Sequence, residues 1–165
     1  MSPLLSTLVE CDAWNQHEGF EALASEVIGA AVAATKIKLA AQAEVSLLLC
    51  DDARIREINR EWRGLDKPTN VLSFPAAPPS MLAKSPAVGD IAIAYETVAR
   101  EAEEEAKTFR DHYMHMVAHG FLHLIGYDHE TDDEADEMEA LEISILGGLG
   151  VADPYANADE DLTEP

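Results

Sequence analysis

The stretch DHYMHMVAHGFLHLIGYDH, residues 111–129, contains five of the six histidines in the chain. Two of them, His119 and His123, are four residues apart and have mainly apolar neighbours. On a helix this spacing places both imidazoles on one face, one turn apart, so that both can reach the same metal ion. The stretch therefore predicts a helix from about residue 108 or 109 to residue 125 that carries two metal ligands.

A third ligand has to come from chain that turns back toward this pair. His115 lies on the same helix face, but its eight-residue separation from His123 is about 12 Å along the axis, at about 1.5 Å per residue. Gly126 stands where a helix would end with a left-handed residue. His129, three residues further on, can then fold over His119 and His123.

Three neutral imidazoles with a fourth position left open are typical of a catalytic zinc site. A structural zinc site would more often include thiolates, and Cys11 and Cys50 are far from this stretch in sequence. We therefore expect one zinc ion, with nickel, cobalt or copper as alternatives because three-histidine sites also bind these metals. The spacing disfavours the competing interpretation, in which the histidines only cap and decorate an amphipathic helix.

The composition predicts one domain with its own hydrophobic core. The chain has 165 residues, of which 47% are hydrophobic, so it should fold without disulfides. We place the catalytic domain at residues 1–151 and expect the acidic tail, residues 152–165, to be disordered. No apolar run reaches the roughly 18 residues that span a bilayer, and the N-terminus lacks the features of a secretory signal. Two cysteines without a CxxC spacing agree with a soluble, cytoplasmic protein that has no membrane partner.

The formal net charge of −21 argues against tight, non-specific binding of nucleic acid. The basic residues are not spread evenly, however, because five of the eleven Lys and Arg lie within residues 54–67. A single basic segment on an acidic protein is compatible with local phosphate contacts, and a solvated helix face is the alternative interpretation. The residues of this basic segment are Arg54, Arg56, Arg60, Arg63 and Lys67.

The hydrophobic pattern predicts an α+β fold. Strands are expected at residues 4–11, 44–50, 71–75 and 90–96. Helices are expected at residues 20–35, 52–62, 97–107, 108–125 and 132–146. The third and fourth strands are joined by a long loop without a helical pattern, so we expect them to pair antiparallel. The predicted architecture is a single domain with one mixed sheet of about four strands, packed by about five helices.

Two of these helices have predicted core faces. In the second helix Ile55, Ile58 and Trp62 recur at spacings of three and four residues and should face the core. Asp51 is its predicted N-cap, and Gly64 should end it. In the last helix the predicted apolar side consists of Ala135, Met138, Leu141 and Ile145, with acidic residues on the other side.

The residue after His119 distinguishes between substrate classes. The spacing HxxxHxxGxxH is that of metzincin proteases, which carry a glutamate directly after the first histidine as general base. This chain has Gly120 there, so the peptide-hydrolysis mechanism lacks its proton acceptor. Glycine should also leave room beside the metal for a larger substrate group. Three neutral ligands leave the charge of the ion uncompensated, which favours an anionic substrate such as a phosphodiester.

Other residues could complete such a site. Arg63, in the loop after the second helix, is the candidate cation for a phosphate group. Tyr127 and Asp128, beside His129, are candidates to orient the ligands or a water molecule. For Asp128 the alternative of a turn residue that bonds its own backbone is equally open.

Three segments closely resemble the YbeY family of metal-dependent endoribonucleases. They are HMVAHGFLHLIGYDHETDDEADEMEALE (residues 115–142), EINREWRGLDKPTNVLSFP (57–75) and GDIAIAYE (89–96), about a third of the chain. The resemblance implies an α+β fold and a zinc-type site made by His119, His123 and His129. It also implies an essential arginine, matched by Arg63 of the sequence WRG, in which Trp62 replaces a more usual tyrosine.

The implied activity is cleavage of single-stranded RNA in ribosomal RNA processing, notably at the 3′ end of 16S ribosomal RNA, and in ribosome quality control. The implied partners are ribosomal RNA and the ribosome or its small subunit with associated proteins, while the oligomeric state stays open. Further candidates for RNA contacts are Arg54, Arg56, Arg60 and Lys67.

Two alternatives belong to other functional classes. The chain could be a metzincin-like zinc protease that uses another base, such as Asp128, although Gly120 disfavours this interpretation. It could also be a non-catalytic ribosome assembly factor with a structural metal, because the basic segment would serve docking equally well.

Overall fold

A computed structural model describes residues 2–16 and 18–156 of the chain. In these residues the strands are β1 Leu4–Val9, β2 Glu44–Cys50, β3 Val71–Pro75 and β4 Ala87–Ala94. The longer helices are α1 Phe20–Thr35, α2 Asp52–Arg63, α3 Tyr95–Glu104, α4 Phe109–Leu124 and α5 Asp132–Gly148. Two short 3-10 helices, Asp12–Gln16 and Pro79–Lys84, lie in the connections.

The four strands form one mixed sheet in the order β1-β2-β4-β3. β1 and β4 both pair parallel with β2, and β3 pairs antiparallel with β4, with Val71 opposite Ile93. Parallel neighbours need a crossover connection, which α1 provides between β1 and β2. This arrangement confirms the predicted α+β class, the mixed sheet and the antiparallel pairing of the third and fourth strands.

One face of the sheet carries the main core, with α4 at its centre. α4 packs against α1, α3 and α5 and lies on β3 and β4. Eleven of its 16 residues are buried, which explains why the histidine stretch is apolar between its histidines. Trp14 lies at one end of this core and is surrounded by edge-on aromatic rings; these belong to Phe20, Tyr95, Phe109 and Tyr113. Two of the three metal-ligand candidates, His119 and His123, therefore project from a closely packed helix.

The opposite face carries α2. Asp51 caps the helix through a 2.8 Å hydrogen bond from the Arg54 backbone N–H, and Gly64 ends it with φ of 72°. Ile55 and Ile58 pack into a second, smaller core on this face, as predicted.

The prediction that Trp62 faces the core is wrong, because 70% of its surface is exposed. The buried residues of α2 are in its first two turns, whereas Trp62 is in the last turn and contacts Phe74 of β3 instead.

The Pro-rich connection before β4 is more ordered than predicted. It contains the 3-10 helix at 79–84, which buries Leu82 to 1% exposure, and β4 begins at Ala87 rather than at residue 90. α3 likewise begins at Tyr95, two residues earlier than predicted. No helix among the described residues is long and apolar enough to cross a membrane.

Candidate metal centre and its groove

The three candidate ligands are brought together by the way α4 ends. Gly126 has φ of 107°, and its N–H bonds the carbonyl of His123, while the N–H of Tyr127 bonds the carbonyl of Leu122. These two bonds are the Schellman arrangement that reverses the chain after a helix. The reversal carries His129 back over the pair on α4, as the sequence predicted for a glycine at this position.

The ring nitrogens of His119, His123 and His129 lie within 4.8 Å of one another. The Nε2 atoms of His119 and His123 are 3.2 Å apart, and the rings of His119 and His129 are stacked at 26°. Zinc–nitrogen bonds of about 2.0–2.1 Å in a tetrahedron place two ligand nitrogens about 3.3 Å apart. The donor set and its spacing therefore fit a tetrahedral divalent ion.

A buried carboxylate fixes the orientation of the first of these histidines. Glu142 of α5 is 0% exposed, and its Oε2 lies 2.9 Å from Nδ1 of His119. A carboxylate accepts a hydrogen bond from Nδ1–H, so the lone pair of Nε2 is directed toward the other two imidazoles. Histidine ligands of metal ions commonly have such a partner, which fixes the tautomer.

Glu142 is also held in place by two other side chains. Nε2 of His115 lies 2.7 Å from its Oε1, and the hydroxyl of Tyr155 donates to the same oxygen. Burial alone would raise the pKa of Glu142, but the hydrogen bonds from His115 and His119 outweigh it and lower the pKa to about 2. The carboxylate is therefore ionised at neutral pH and remains an acceptor for His119.

Sequence reasoning missed Glu142 and Tyr155. The available signal was an acid within the apolar face of α5, because Glu142 lies between the buried Met138 and Ile145 at helical spacing. Of the other residues predicted for this face, Ala135 and Leu141 are only partly buried. Tyr155 belongs to the segment predicted as a disordered tail; residues 152–156 are described, and residues 157–165 lie outside the described part of the chain.

The surroundings of His123 favour its neutral imidazole. Burial lowers the pKa of His123, and the neighbouring His119 and His129 lower it further. A neutral imidazole is the form that binds a metal ion, so this lowering of the pKa favours His123 as a ligand.

The three histidines line a groove of about 750 Å³. Arg63, at the end of α2, lines the same groove, together with Trp62, Asn70 and Ser73. Arg63 is exposed, and among the described residues no carboxylate lies within 4.0 Å of its guanidinium group. The structure thus brings together the predicted metal ligands and the predicted phosphate-binding cation.

The rest of the basic segment lies outside this groove. Arg54 pairs with Glu10 and Glu57, at 3.3 and 3.4 Å, and Arg56 pairs with Asp66 at 2.8 Å. Arg60 and Lys67 are exposed and form no ion pair within the described part of the chain. The charge of two of the four remaining basic residues is therefore already partly balanced.

Tyr127 and Asp128 both line the groove beside His129. Oδ1 of Asp128 accepts a 2.8 Å hydrogen bond from the backbone N–H of His129, which is the turn interaction that the sequence left open. Burial raises the pKa of the Tyr127 hydroxyl, so this group is a protonated donor at neutral pH.

The expectation that Gly120 leaves room beside the metal is wrong. Gly120 is buried, and a Cβ atom there would lie 3.1 Å from Cγ2 of Ile91 and 3.2 Å from Oγ of Ser73. The Ser73 hydroxyl also donates to the Gly120 carbonyl at 3.1 Å. The glycine therefore allows α4 to approach the sheet closely, and any side chain at this position would press against β3 and β4.

A second group of potential ligands lies where α3 ends and α4 begins. It consists of Glu101, Glu105 and His112, whose ligand atoms are also within 4.8 Å of one another. Its charges are already paired, because His112 bonds Glu101 at 2.8 Å and Lys107 bonds Glu105 at 2.8 Å. These residues form an ion-pair network that connects α3 to the start of α4.

Comparison with known proteins supports the assignment suggested by the sequence. A family model described as endoribonuclease YbeY matches residues 9–150. Proteins named endoribonuclease YbeY from Methylocella silvestris and Bradyrhizobium diazoefficiens are 54% and 52% identical to this chain over 155 and 159 residues. The matched parts cover 94% of this chain in both cases, and 87% and 86% of the two relatives.

The fold is also similar to a solved structure. The solution structure of TM1509 from Thermotoga maritima matches with a TM-score of 0.55 and covers 88% of this chain and 91% of that chain. Its sequence is 24% identical, so this similarity concerns the fold alone.

Proposed function

The chain belongs to the endoribonuclease YbeY family, and we propose that it is a metal-dependent endoribonuclease that cuts single-stranded RNA. The observation that carries this proposal is the groove lined by three clustered imidazoles and by an exposed arginine that forms no ion pair with the described residues. A Lewis acid and a hydrogen-bonding cation both assist the cleavage of a phosphodiester, and this groove offers places for the two together.

We assign His119, His123 and His129 as the ligands of one zinc ion, with another divalent transition metal as the alternative. When bound, such an ion would polarise the phosphodiester and screen the negative charge that develops in the transition state. Glu142 holds the proton of His119 at Nδ1 and thereby keeps Nε2 available as a ligand.

Arg63 is the proposed catalytic residue. Its guanidinium can donate two parallel hydrogen bonds to a phosphate, and these bonds strengthen as charge accumulates on the oxygens. Tyr127 is the proposed donor beside His129, and Asp128 holds the turn that carries His129. Arg60 and Lys67 are better placed than the ion-paired Arg54 and Arg56 to contact RNA outside the groove.

The proposed biological role is ribosomal RNA processing, including maturation of the 3′ end of 16S ribosomal RNA, and ribosome quality control. The partners would be ribosomal RNA and the small ribosomal subunit with its associated proteins, in the cytoplasm. The net charge of −21 supports a specific docking partner over general affinity for nucleic acid.

The test is cleavage of a single-stranded RNA by purified protein, with and without a chelator. We expect chelation and His123→Ala to abolish cleavage, and Arg63→Ala to lower kcat by about 10²- to 10³-fold while metal affinity is unchanged. Arg110→Ala is the matched control, because Arg110 is an exposed arginine of α4 that lies outside the groove. Cleavage that survives both chelation and His123→Ala would contradict the proposed mechanism.

The two alternative functions predict different results from the same preparations. A protease should degrade casein, but the position of the metzincin general base is occupied by Gly120, which is tightly packed against the sheet and carries no carboxylate. A non-catalytic assembly factor should cleave neither substrate and should lose its fold when the metal is removed. Neither alternative accounts for an exposed arginine that lines the same groove as the three histidines.

A further inference from the structure

The exposed indole of Trp62 is the feature that the proposed mechanism does not use. Trp62 is 70% exposed, although the other large apolar residues of the same helix, Ile55 and Ile58, are 0% and 9% exposed. Keeping an indole in water forfeits about 25 cal/mol for each Å² of apolar surface that could be buried. A tryptophan on the rim of a groove therefore suggests a ligand that covers it.

The indole is held against a second aromatic ring. Its centroid lies 6.4 Å from that of Phe74, with the ring planes tilted by 57°. Phe74 belongs to β3 and packs against the smaller core beneath α2. Trp62 is therefore supported on one side by the sheet, and its exposed surface borders the same groove as Arg63 and the three histidines.

The charge distribution favours an uncharged contact at this position. The chain has a net charge of −21, and Arg54 and Arg56 of the basic segment are already ion-paired. The phosphate backbone of RNA therefore has few cations to bind near the groove. Stacking of a base on an aromatic ring contributes to binding without requiring protein charge, and it is available only to a base that is not stacked in a duplex.

We propose that Trp62, backed by Phe74, is a nucleobase-binding subsite on which an unpaired base of the RNA stacks when a neighbouring phosphodiester occupies the metal groove. This subsite rests on the proposed nuclease function and deepens it. It supplies a physical reason for a preference for single strands, since the bases of a duplex have no free face to offer. The position next to Arg63 in the chain couples the base contact to the phosphate contact.

Binding can be measured without cleavage, in chelator-treated protein with a short single-stranded RNA. The chain has two tryptophans, and Trp14 is 2% exposed, so the solvent-accessible fluorescence comes from Trp62. We expect the RNA to quench this emission and a duplex of the same sequence to leave it unchanged. Trp62→Ala should weaken RNA binding roughly 5- to 150-fold, and Trp62→Phe should restore most of it.

Leu65→Ala is the matched control, because Leu65 is 45% exposed, three residues further on, and does not line the groove. An RNA series with one abasic nucleotide at each position locates the contact. The RNA that lacks the stacked base should bind wild-type protein and Trp62→Ala with equal affinity. Removing the base and removing the indole abolish the same stacking contact, so the two effects do not add. Thermal melting of both Trp62 variants shows whether they fold.

Two results together would support the subsite, even if the metal-loaded protein cleaved no RNA. Single-stranded RNA should quench the Trp62 emission, and one abasic position should remove the difference in affinity between wild type and Trp62→Ala. In that case the proposed nuclease activity would be wrong and the base contact right. Cleavage with unchanged RNA affinity and unchanged KM in Trp62→Ala would overturn the subsite and leave the nuclease activity standing. Loss of binding to a ribosomal protein in Trp62→Ala, with RNA affinity unchanged, would identify Trp62 as a protein-docking residue and also overturn it.

Discussion

Replacing Glu142 by glutamine should weaken metal binding, although Glu142 is not one of the proposed ligands. The carboxylate is 0% exposed and is approached by Nδ1 of His119 at 2.9 Å and by Nε2 of His115 at 2.7 Å. A glutamine can keep only one of these contacts as an acceptor, because its amino group would face a second donor, either His115 or Tyr155. Even where the amide oxygen stays at His119, a neutral amide accepts a weaker hydrogen bond from Nδ1 than a carboxylate does, so the tautomer of His119 is held less firmly.

The expected loss is about 10- to 100-fold in metal affinity, which corresponds to about 1.4–2.7 kcal/mol. The metal-free protein should also lose stability by about 1–3 kcal/mol, because a buried donor is left without its acceptor. Both effects arise from one buried group, so they should appear together.

The assay is a chelator competition with zinc, carried out at a temperature at which metal-free wild type and variant are both folded by circular dichroism. Asp136→Asn is the control for the change in charge, since Asp136 is an exposed acid of the same helix. Tyr155→Phe should have a smaller effect, because it removes one donor to Glu142 and leaves the His119 contact in place. Zinc affinity of Glu142→Gln equal to that of wild type would refute the proposed role of this carboxylate.

Three further predictions concern the packing around the site. Gly126→Ala should destabilise the fold by about 1–3 kcal/mol in denaturant unfolding and weaken metal binding. The reason is that the residue has φ of 107° and that its Cβ would lie 2.6 Å from Cγ of Pro79. A variant as stable as wild type would contradict the tight turn. Gly120→Ala should lower the free energy of unfolding by about 1–3 kcal/mol, because the methyl group overpacks α4 against the sheet. The control Gly148→Ala, on an open part of α5, should raise it by about 0.5–1 kcal/mol. Equal effects of the two substitutions would argue against the close approach of α4. Burial alone would raise the pKa of Glu101, but hydrogen bonds from its histidine and asparagine partners outweigh burial and lower the pKa. The ionised Glu101 therefore stabilises the fold, and this contribution should be lost as the pH falls below the ordinary pKa of 4.5. Acid titration of stability should therefore be shallower for Glu101→Gln than for wild type, and curves of equal slope would be inconsistent with this network.

The sequence predicted the elements whose pattern is set by local rules. The Ala-rich pattern of 20–35 and the apolar strands at 44–50 and 71–75 agree with the structure to the residue. The turn at Gly126 was also predicted, since only a chain reversal there can bring His129 back to His119 and His123. Such features depend on periodicity, capping and backbone conformation, which are properties of neighbouring residues.

The features that sequence reasoning missed depend on contacts between distant segments. Trp62 fits the apolar periodicity of α2, but its indole is 70% exposed beside Phe74 of β3, which periodicity alone does not reveal. Glu142 looks like one acid among many on an acidic helix, and only the position of α5 beside α4 shows that it is buried beneath His119. The close packing of Gly120 likewise depends on β3 and β4, which are distant in sequence.

The contact between Tyr155 and Glu142 affects how the protein should be shortened for study. Composition places the end of the domain at residue 151, and a fragment cut there would retain all three histidines and the whole of α5. It would nevertheless lose the hydroxyl that bonds the carboxylate beneath His119, and the backbone carbonyl of Pro154 that bonds Lys107. Fragments meant to preserve the metal site should therefore extend at least through residue 156, and affinity tags are better placed beyond that point.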